Sequence, residues 1–113
     1  MRENFFDSFM KTVLLDENLP QPLRLRLPEF DVSTVGFLGW SGVQNGDLIL
    51  RAEGQFDVLV TGDKNLRYQK NLVERKIAIV EVPFTRLDEP VEIRSEISQA
   101  IQASTVSSYT VVQ

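Results

Sequence analysis

Two acidic turns, each placed directly after an apolar run, contain the residues of this sequence best suited to chemistry. In VLLDENLP, residues 13–20, three apolar residues lead into Asp16 and Glu17. In DVLVTGDKNL, residues 57–66, a second apolar run leads to Asp63. Carboxylates held close together repel, and one pKa rises unless a cation compensates. Mg²⁺ and Mn²⁺ prefer carboxylate oxygens and retained waters, so the pattern predicts a shared divalent-cation site if the two turns meet.

Two further polar residues, Asp47 and Asn65, could complete such a site. Asp47 is expected in the first turn of a helix, where its charge would equally stabilise the helix dipole. Asn65 is a polar ligand or water-positioning group, or else a helix cap. The acids also have ordinary structural roles: Asp16 could cap a turn, and Asp63 could form an Asx-turn ahead of Asn65. The predicted metal ligands are Asp16, Glu17, Asp47, Asp63 and Asn65, and the predicted catalytic residues are Asp16, Asp47 and Asp63.

A local basic surface follows the second acidic turn, on a chain whose net charge is −4. We expect Lys64 and Arg67 to bind substrate phosphate, and the ring of Tyr68 could stack on a base. A solvated helix face explains the same residues without any ligand. The acidic balance argues against a broad surface that coats nucleic acid.

The composition restricts the chemistry that is open to the chain. Cysteine and histidine are both absent, which excludes thiol nucleophiles, zinc ribbons and every Ser-His-Asp arrangement. A bound divalent cation can activate water and stabilise charge on a phosphoryl oxygen without imidazole. Phosphodiester hydrolysis is therefore the reaction that best matches a histidine-free acidic site.

The chain has the length of one domain. No apolar run approaches the roughly 20 residues that span a bilayer, and the opening lacks the features of a signal peptide, so we expect a cytoplasmic protein with no membrane association. We divide it into an N-terminal extension over 1–10, with Met10 as an alternative start, a domain over 11–104 and a tail over 105–113. The tail could be an edge strand, a partner-binding arm or disordered.

Apolar runs and punctuating residues predict alternating strands and helices. The strands are expected at 12–15, 31–35, 57–61 and 76–82, and the helices at 20–27, from Gly46 onward, at 65–75 and at about 91–103. Near-continuous apolar strands alternating with helices indicate an α/β fold with a parallel sheet covered on both faces. Right-handed crossovers favour the strand order 2-1-3-4, which makes strands 1 and 3 neighbours at the switch point where ligands bind.

Several blocks of this sequence, in order, resemble a known family. LLDENLP, FDVSTVGFLGWSGVQNGDLIL, FDVLVTGDKNLRYQKNL and RKIAIV together are similar to uncharacterised bacterial PIN-like proteins that open on a DENLP motif. The likeness covers about residues 12–82. It implies a single three-layer, Rossmannoid PIN-like domain.

PIN domains are metal-dependent nucleases, often the toxin of a bacterial toxin–antitoxin pair. The resemblance therefore implies a ribonuclease that uses Mg²⁺ or Mn²⁺, RNA as substrate, a small antitoxin as partner and a homodimer. It places Asp16 and Asp63 at the family's strand-end acids, Asp47 at a helix acid and Asn65 where many members have a further acid. A non-catalytic PIN-like interaction module is the alternative. A receiver-like signalling domain is a third hypothesis. That class needs a fifth strand and a lysine beyond it, and we expect the chain after residue 82 to be too short to supply both.

Overall fold

The protein is built on a parallel sheet, seen in a computed structural model that describes residues 10–69, 71–83 and 90–112. Within those ranges the sheet has five strands in the order β2-β1-β3-β4-β5, and every neighbouring pair is parallel. The strands are β1 (Thr12–Leu15), β2 (Asp31–Thr34), β3 (Val58–Thr61), β4 (Ala78–Glu81) and β5 (Tyr109–Val111). The predicted α/β class and the order of the first four strands are confirmed.

The expected number of strands, about four, is wrong by one. The tail supplies β5, which lies beside β4 with Ile79 opposite Tyr109. This strand has only three half-buried residues, so it lacks the buried apolar run that marks β1, β3 and β4. The chain after residue 82 therefore does supply a fifth strand, contrary to expectation, but it contains no lysine beyond that strand.

In the described ranges, two α-helices and three short 3₁₀ helices connect the strands. The α-helices are α1 (Asn45–Ala52) and α2 (Pro90–Ala103), and the 3₁₀ helices span Gln21–Arg26, Lys64–Tyr68 and Leu72–Glu74. The single helix predicted over 65–75 is wrong. Gln69 is extended and Asn71 is left-handed, with φ 61°, so the hydrogen-bonded ladder of one helix cannot pass through this segment.

Hydrophobic clusters cover both faces of the sheet, as a three-layer fold requires. On one face, Leu15 and Val60 pack with Ile97 of α2. On the other face, Leu14 and Leu59 pack with α1. Consecutive strand residues therefore enter opposite clusters, which explains why the buried strands read as continuous apolar runs.

The carboxyl ends of β1, β3 and β4 lie side by side because the strands are parallel neighbours. Asp16 follows β1, Asp63 lies just beyond β3, and Glu81 is the last residue of β4. The fold thus gathers acidic side chains from three strand ends at one edge of the sheet. No helix in the described parts of the chain is long and apolar enough to cross a membrane.

Candidate functional site at the strand ends

Asp16 and Asp63 are connected through the side chain of Thr61. The Thr61 hydroxyl, fully buried at the end of β3, donates to Asp16 Oδ2 at 2.8 Å. The same Oγ1 accepts a hydrogen bond from the backbone N–H of Asp63 at 3.0 Å. The two acidic turns singled out in the sequence therefore meet, with one hydroxyl fixing the position of one relative to the other.

Asp16 is a buried carboxylate, with 7% of its surface exposed. Its Oδ1 accepts from the backbone N–H of Glu17 at 2.8 Å, and its Oδ2 accepts from Thr61. Burial raises the pKa of Asp16 above its ordinary value of 3.8, the two hydrogen bonds oppose that rise, and the charges of Glu17 and Asp63 add to it. A nearby cation would relieve both the lost hydration and the repulsion.

Asp63 is held by hydrogen bonds at both carboxylate oxygens. Oδ1 accepts from the backbone N–H of Asn65 at 2.8 Å, so Asp63 caps the 3₁₀ helix Lys64–Tyr68. This is the Asx-turn that the sequence allowed, and the prediction that Asn65 caps the following helix is wrong. Oδ2 accepts from the side-chain amide of Asn45 at 3.1 Å.

Helix α1 contributes Asn45 to this site. Gln44 occupies the cap position of α1, so Asn45 lies at the first position of the helix, and its side chain reaches Asp63. Asp47 is exposed and lines a different cleft, of about 280 Å³, together with Gln69 and Arg75. In the part of the chain that the structure describes, no hydrogen bond or ion pair joins Asp47 to Asp16 or Asp63.

Glu17 and Asn18 connect neighbouring loops to the site. Glu17 is exposed, and its Oε2 accepts from the backbone N–H of Gly42 at 3.1 Å. Gly42 has φ +84°, a conformation that favours glycine. Asn18 Oδ1 accepts from the backbone N–H of Gly62 at 3.0 Å. Asn18 was not among the predicted site residues, because an asparagine after a strand is an ordinary turn residue.

A cleft of about 460 Å³ opens beside Asp63, and its lining comprises Asn18, Gly62, Asp63, Lys64, Asn65, Glu81 and Pro83. Lys64 is exposed on this cleft, as a phosphate ligand would need to be. Arg67, the other predicted phosphate ligand, instead forms an ion pair with Glu81 at 2.7 Å. Tyr109 Oη donates to the same carboxylate at 2.6 Å. Burial raises the pKa of Tyr109 well above its ordinary value, and the Glu81 hydrogen bond and charge raise it further.

The residues at this edge fit one kind of divalent-cation site and not another. In the part of the chain that the structure describes, no three carboxylate, histidine or cysteine side chains lie close enough together to hold a metal ion. Asp16 and Asp63 nevertheless provide two carboxylates on neighbouring strand ends, near enough for the charge of Asp63 to raise the pKa of Asp16. Mg²⁺ usually keeps several waters and uses only one or two carboxylates together with substrate phosphates. A hydrated Mg²⁺ or Mn²⁺ therefore suits this edge, whereas a closed cage of protein ligands does not.

The strand order is shared by more than one functional class. Doubly wound sheets with the order 2-1-3-4-5 include flavodoxin-like folds, and their ligands also bind at the carboxyl ends of strands 1 and 3. The order locates the site without choosing its chemistry. Comparison of the chain with models of known protein families, with curated proteins and with solved structures gives no match.

Proposed function

We propose that this protein is a PIN-like ribonuclease that depends on Mg²⁺ or Mn²⁺ and cleaves RNA at the acidic carboxyl ends of β1 and β3. The observation that supports the proposal best is the chain of hydrogen bonds from Asp16 through Thr61 to Asp63. It joins the desolvated carboxylate of Asp16 to the backbone N–H of Asp63, at the switch point of a parallel sheet, and the charge of Asp63 is near enough to raise the pKa of Asp16. Such a pair is unfavourable by itself and becomes favourable when a cation is bound.

Asp16 and Asp63 would hold the cation, which would supply an activated water and stabilise charge on the phosphoryl group. Thr61 fixes the spacing of the two acids. Asn45 and the backbone N–H of Asn65 fix the orientation of the Asp63 carboxylate, so that little ordering is left to be done when a ligand arrives.

Lys64 is the proposed contact to substrate phosphate, because it is exposed on the cleft beside Asp63. Arg67 is a weaker choice, since binding phosphate would require it to leave the buried carboxylate of Glu81. Removing one partner of a buried pair is costly. Single-stranded RNA is the proposed substrate form because the bases of an unpaired strand are free to stack on Tyr68, which is 74% exposed.

Cation binding and RNA cleavage test the proposal directly. A cation at about 100 times its dissociation constant stabilises the folded state by roughly 2.7 kcal/mol, so Mn²⁺ should raise the melting temperature of the wild type. Asp16→Asn and Asp63→Asn should lose both the shift and the metal-dependent cleavage. Asp31→Asn is the matched control, because Asp31 is an exposed acid at the opposite, amino end of its strand. A wild type with no Mn²⁺ shift would overturn the proposal.

A second candidate function is a non-catalytic interaction module with the same fold. The observation that favours it is that both oxygens of Asp16 and both oxygens of Asp63 already accept hydrogen bonds. Satisfied carboxylates can serve the structure alone. This candidate predicts no cleavage with any divalent cation, together with a stable complex in solution, either a homodimer or a complex with a small antitoxin-like protein. Light scattering alongside the cleavage assay separates the two functions.

A further inference from the structure

We propose that Glu81 is a positioning residue, which holds the loop of Asp63 and Lys64 in place through Arg67 and Tyr109. We call Glu81, Arg67 and Tyr109 the Glu81 clamp. The effect of Glu81 on cation binding rests on the proposed function, but the positioning of the loop by Glu81 can be tested separately. It gives a role to the last strand, β5, and removes Arg67 from the substrate-binding residues.

Glu81 is the most heavily bonded carboxylate at this edge. It is 4% exposed, although it ends an otherwise apolar strand. Arg67 donates to it through Nη2 at 2.9 and 2.7 Å and through Nε at 3.3 Å. Tyr109 adds a third donor group from β5. A buried carboxylate is tolerated only with such partners, so Glu81 fixes the positions of both donors.

The clamp acts on the segment that carries the site. The 3₁₀ helix Lys64–Tyr68 begins at the Asp63 cap, and Leu66 in its middle is fully buried. Arg67 lies in the last turn of this helix, where it is tied to Glu81. A 3₁₀ helix of one or two turns has poor hydrogen-bond geometry and little stability by itself. Its position therefore depends on these anchors, and Asp63 and Lys64 depend on it for theirs.

The clamp also connects the site to the end of the chain. Tyr109 is the first residue of β5 and pairs with Ile79 of β4. Its hydroxyl reaches Glu81, two residues further along β4, on the side of the cleft. Docking of β5 onto the sheet therefore supplies a donor to the carboxylate that anchors Arg67. Loss of that donor should loosen the Asp63 loop while the sheet stays intact.

Tyr109→Phe is the most conservative test, since it removes only the hydroxyl. We expect amide hydrogen exchange over residues 62–68 to accelerate about tenfold, because a hydrogen bond to a charged group is lost. Exchange in β1 and α1 should not change. Tyr68→Phe is the matched control: it is the same chemical change in an exposed residue of the same loop. Glu81→Gln should accelerate exchange over 62–68 further.

The outcomes distinguish failure of the clamp from failure of the proposed function. Faster exchange confined to 62–68, with weaker Mn²⁺ binding by calorimetry in Tyr109→Phe than in Tyr68→Phe, supports the inference as stated. Unchanged exchange over 62–68 in both Tyr109→Phe and Glu81→Gln overturns it. Faster exchange throughout the domain overturns it too, because that result indicates a general stabilising role. If wild type binds no Mn²⁺, the proposed function fails, and the exchange pattern still decides whether the clamp positions the loop.

Discussion

The substitution Thr61→Val tests the connection between the two acids most directly. Valine keeps the shape of threonine and removes the hydroxyl, which donates to Asp16 and accepts from the Asp63 N–H. Each buried group left without its partner costs about 1–3 kcal/mol, and more when it is charged. The two losses share one site and are not additive, so we expect the free energy of unfolding to fall by about 2–4 kcal/mol. Natural domains have only about 5–15 kcal/mol in total.

The cost of Thr61→Val should depend on pH. The hydroxyl lowers the pKa of Asp16 against the rise caused by burial, so its removal should raise that pKa further. An acid whose pKa is raised by folding binds its proton more tightly in the folded state, so its ionisation costs stability as the pH rises. The deficit of the valine variant should therefore be larger at pH 7 than near pH 4. Urea unfolding at the two pH values measures it.

Thr61→Ser is the control for this prediction. Serine retains the hydroxyl and loses a buried methyl group, which costs about 1 kcal/mol at any pH. If the valine variant is no less stable than the serine variant, or if its deficit is the same at pH 7 and pH 4, the hydroxyl does not hold the acids together as argued.

Three further substitutions test the energetics of the site and the core. Asp16→Asn removes an acid whose pKa is raised above 3.8 by burial. The free energy of unfolding of the variant relative to wild type should therefore increase from pH 4 to pH 7. The same difference at both pH values in urea unfolding would contradict the desolvation argument. Lys11→Met should cost about 1–2 kcal/mol in thermal unfolding, because the Lys11 ammonium donates at 2.8 Å to two carbonyls at the carboxyl end of α2. Lys76→Met is the control, because Lys76 is exposed, and equal losses of stability in the two variants would refute the prediction for Lys11. Ile97→Ala should cost about 2–5 kcal/mol, since Ile97 is fully buried, whereas Leu50→Ala, at a site that is 53% exposed, should cost far less.

The sequence predicts the parts of the fold that consist of continuous apolar residues. Strands β1, β3 and β4 consist largely of buried residues, because both faces of the sheet are covered. Such runs identify buried strands and, with the short connections between them, their parallel order. Two acids at the ends of β1 and β3 then had to share an edge. That reasoning brought Asp16 and Asp63 together without any structural information.

The partner of Asp63 from α1 could not be predicted in the same way. Asn45 and Asp47 are two residues apart in the sequence, and carboxylate chemistry predicted only Asp47 as a site residue. In the structure the side chain of Asp47 lies beside Gln69 and Arg75, while Asn45, at the first position of α1, faces β3. Residues two apart on a helix do not face the same way, so an error of one residue in the helix start changes which side chain reaches the site.

The ion pair of Arg67 with Glu81 was not predicted, because the buried carboxylate was overlooked in the sequence. The apolar pattern of KIAIVEV predicts a buried strand, and this strand contains Glu81 near its end. A carboxylate within a strand of a fully covered sheet must have cationic or donor partners, because its desolvation is too costly otherwise. Two cations, Lys64 and Arg67, follow β3, the neighbouring strand, whose last residue Thr61 pairs with Glu81. The strand-end argument that joined Asp16 to Asp63 therefore predicts a cation from the segment after β3 as the partner of Glu81; in the structure this cation is Arg67, and Lys64 lines the cleft.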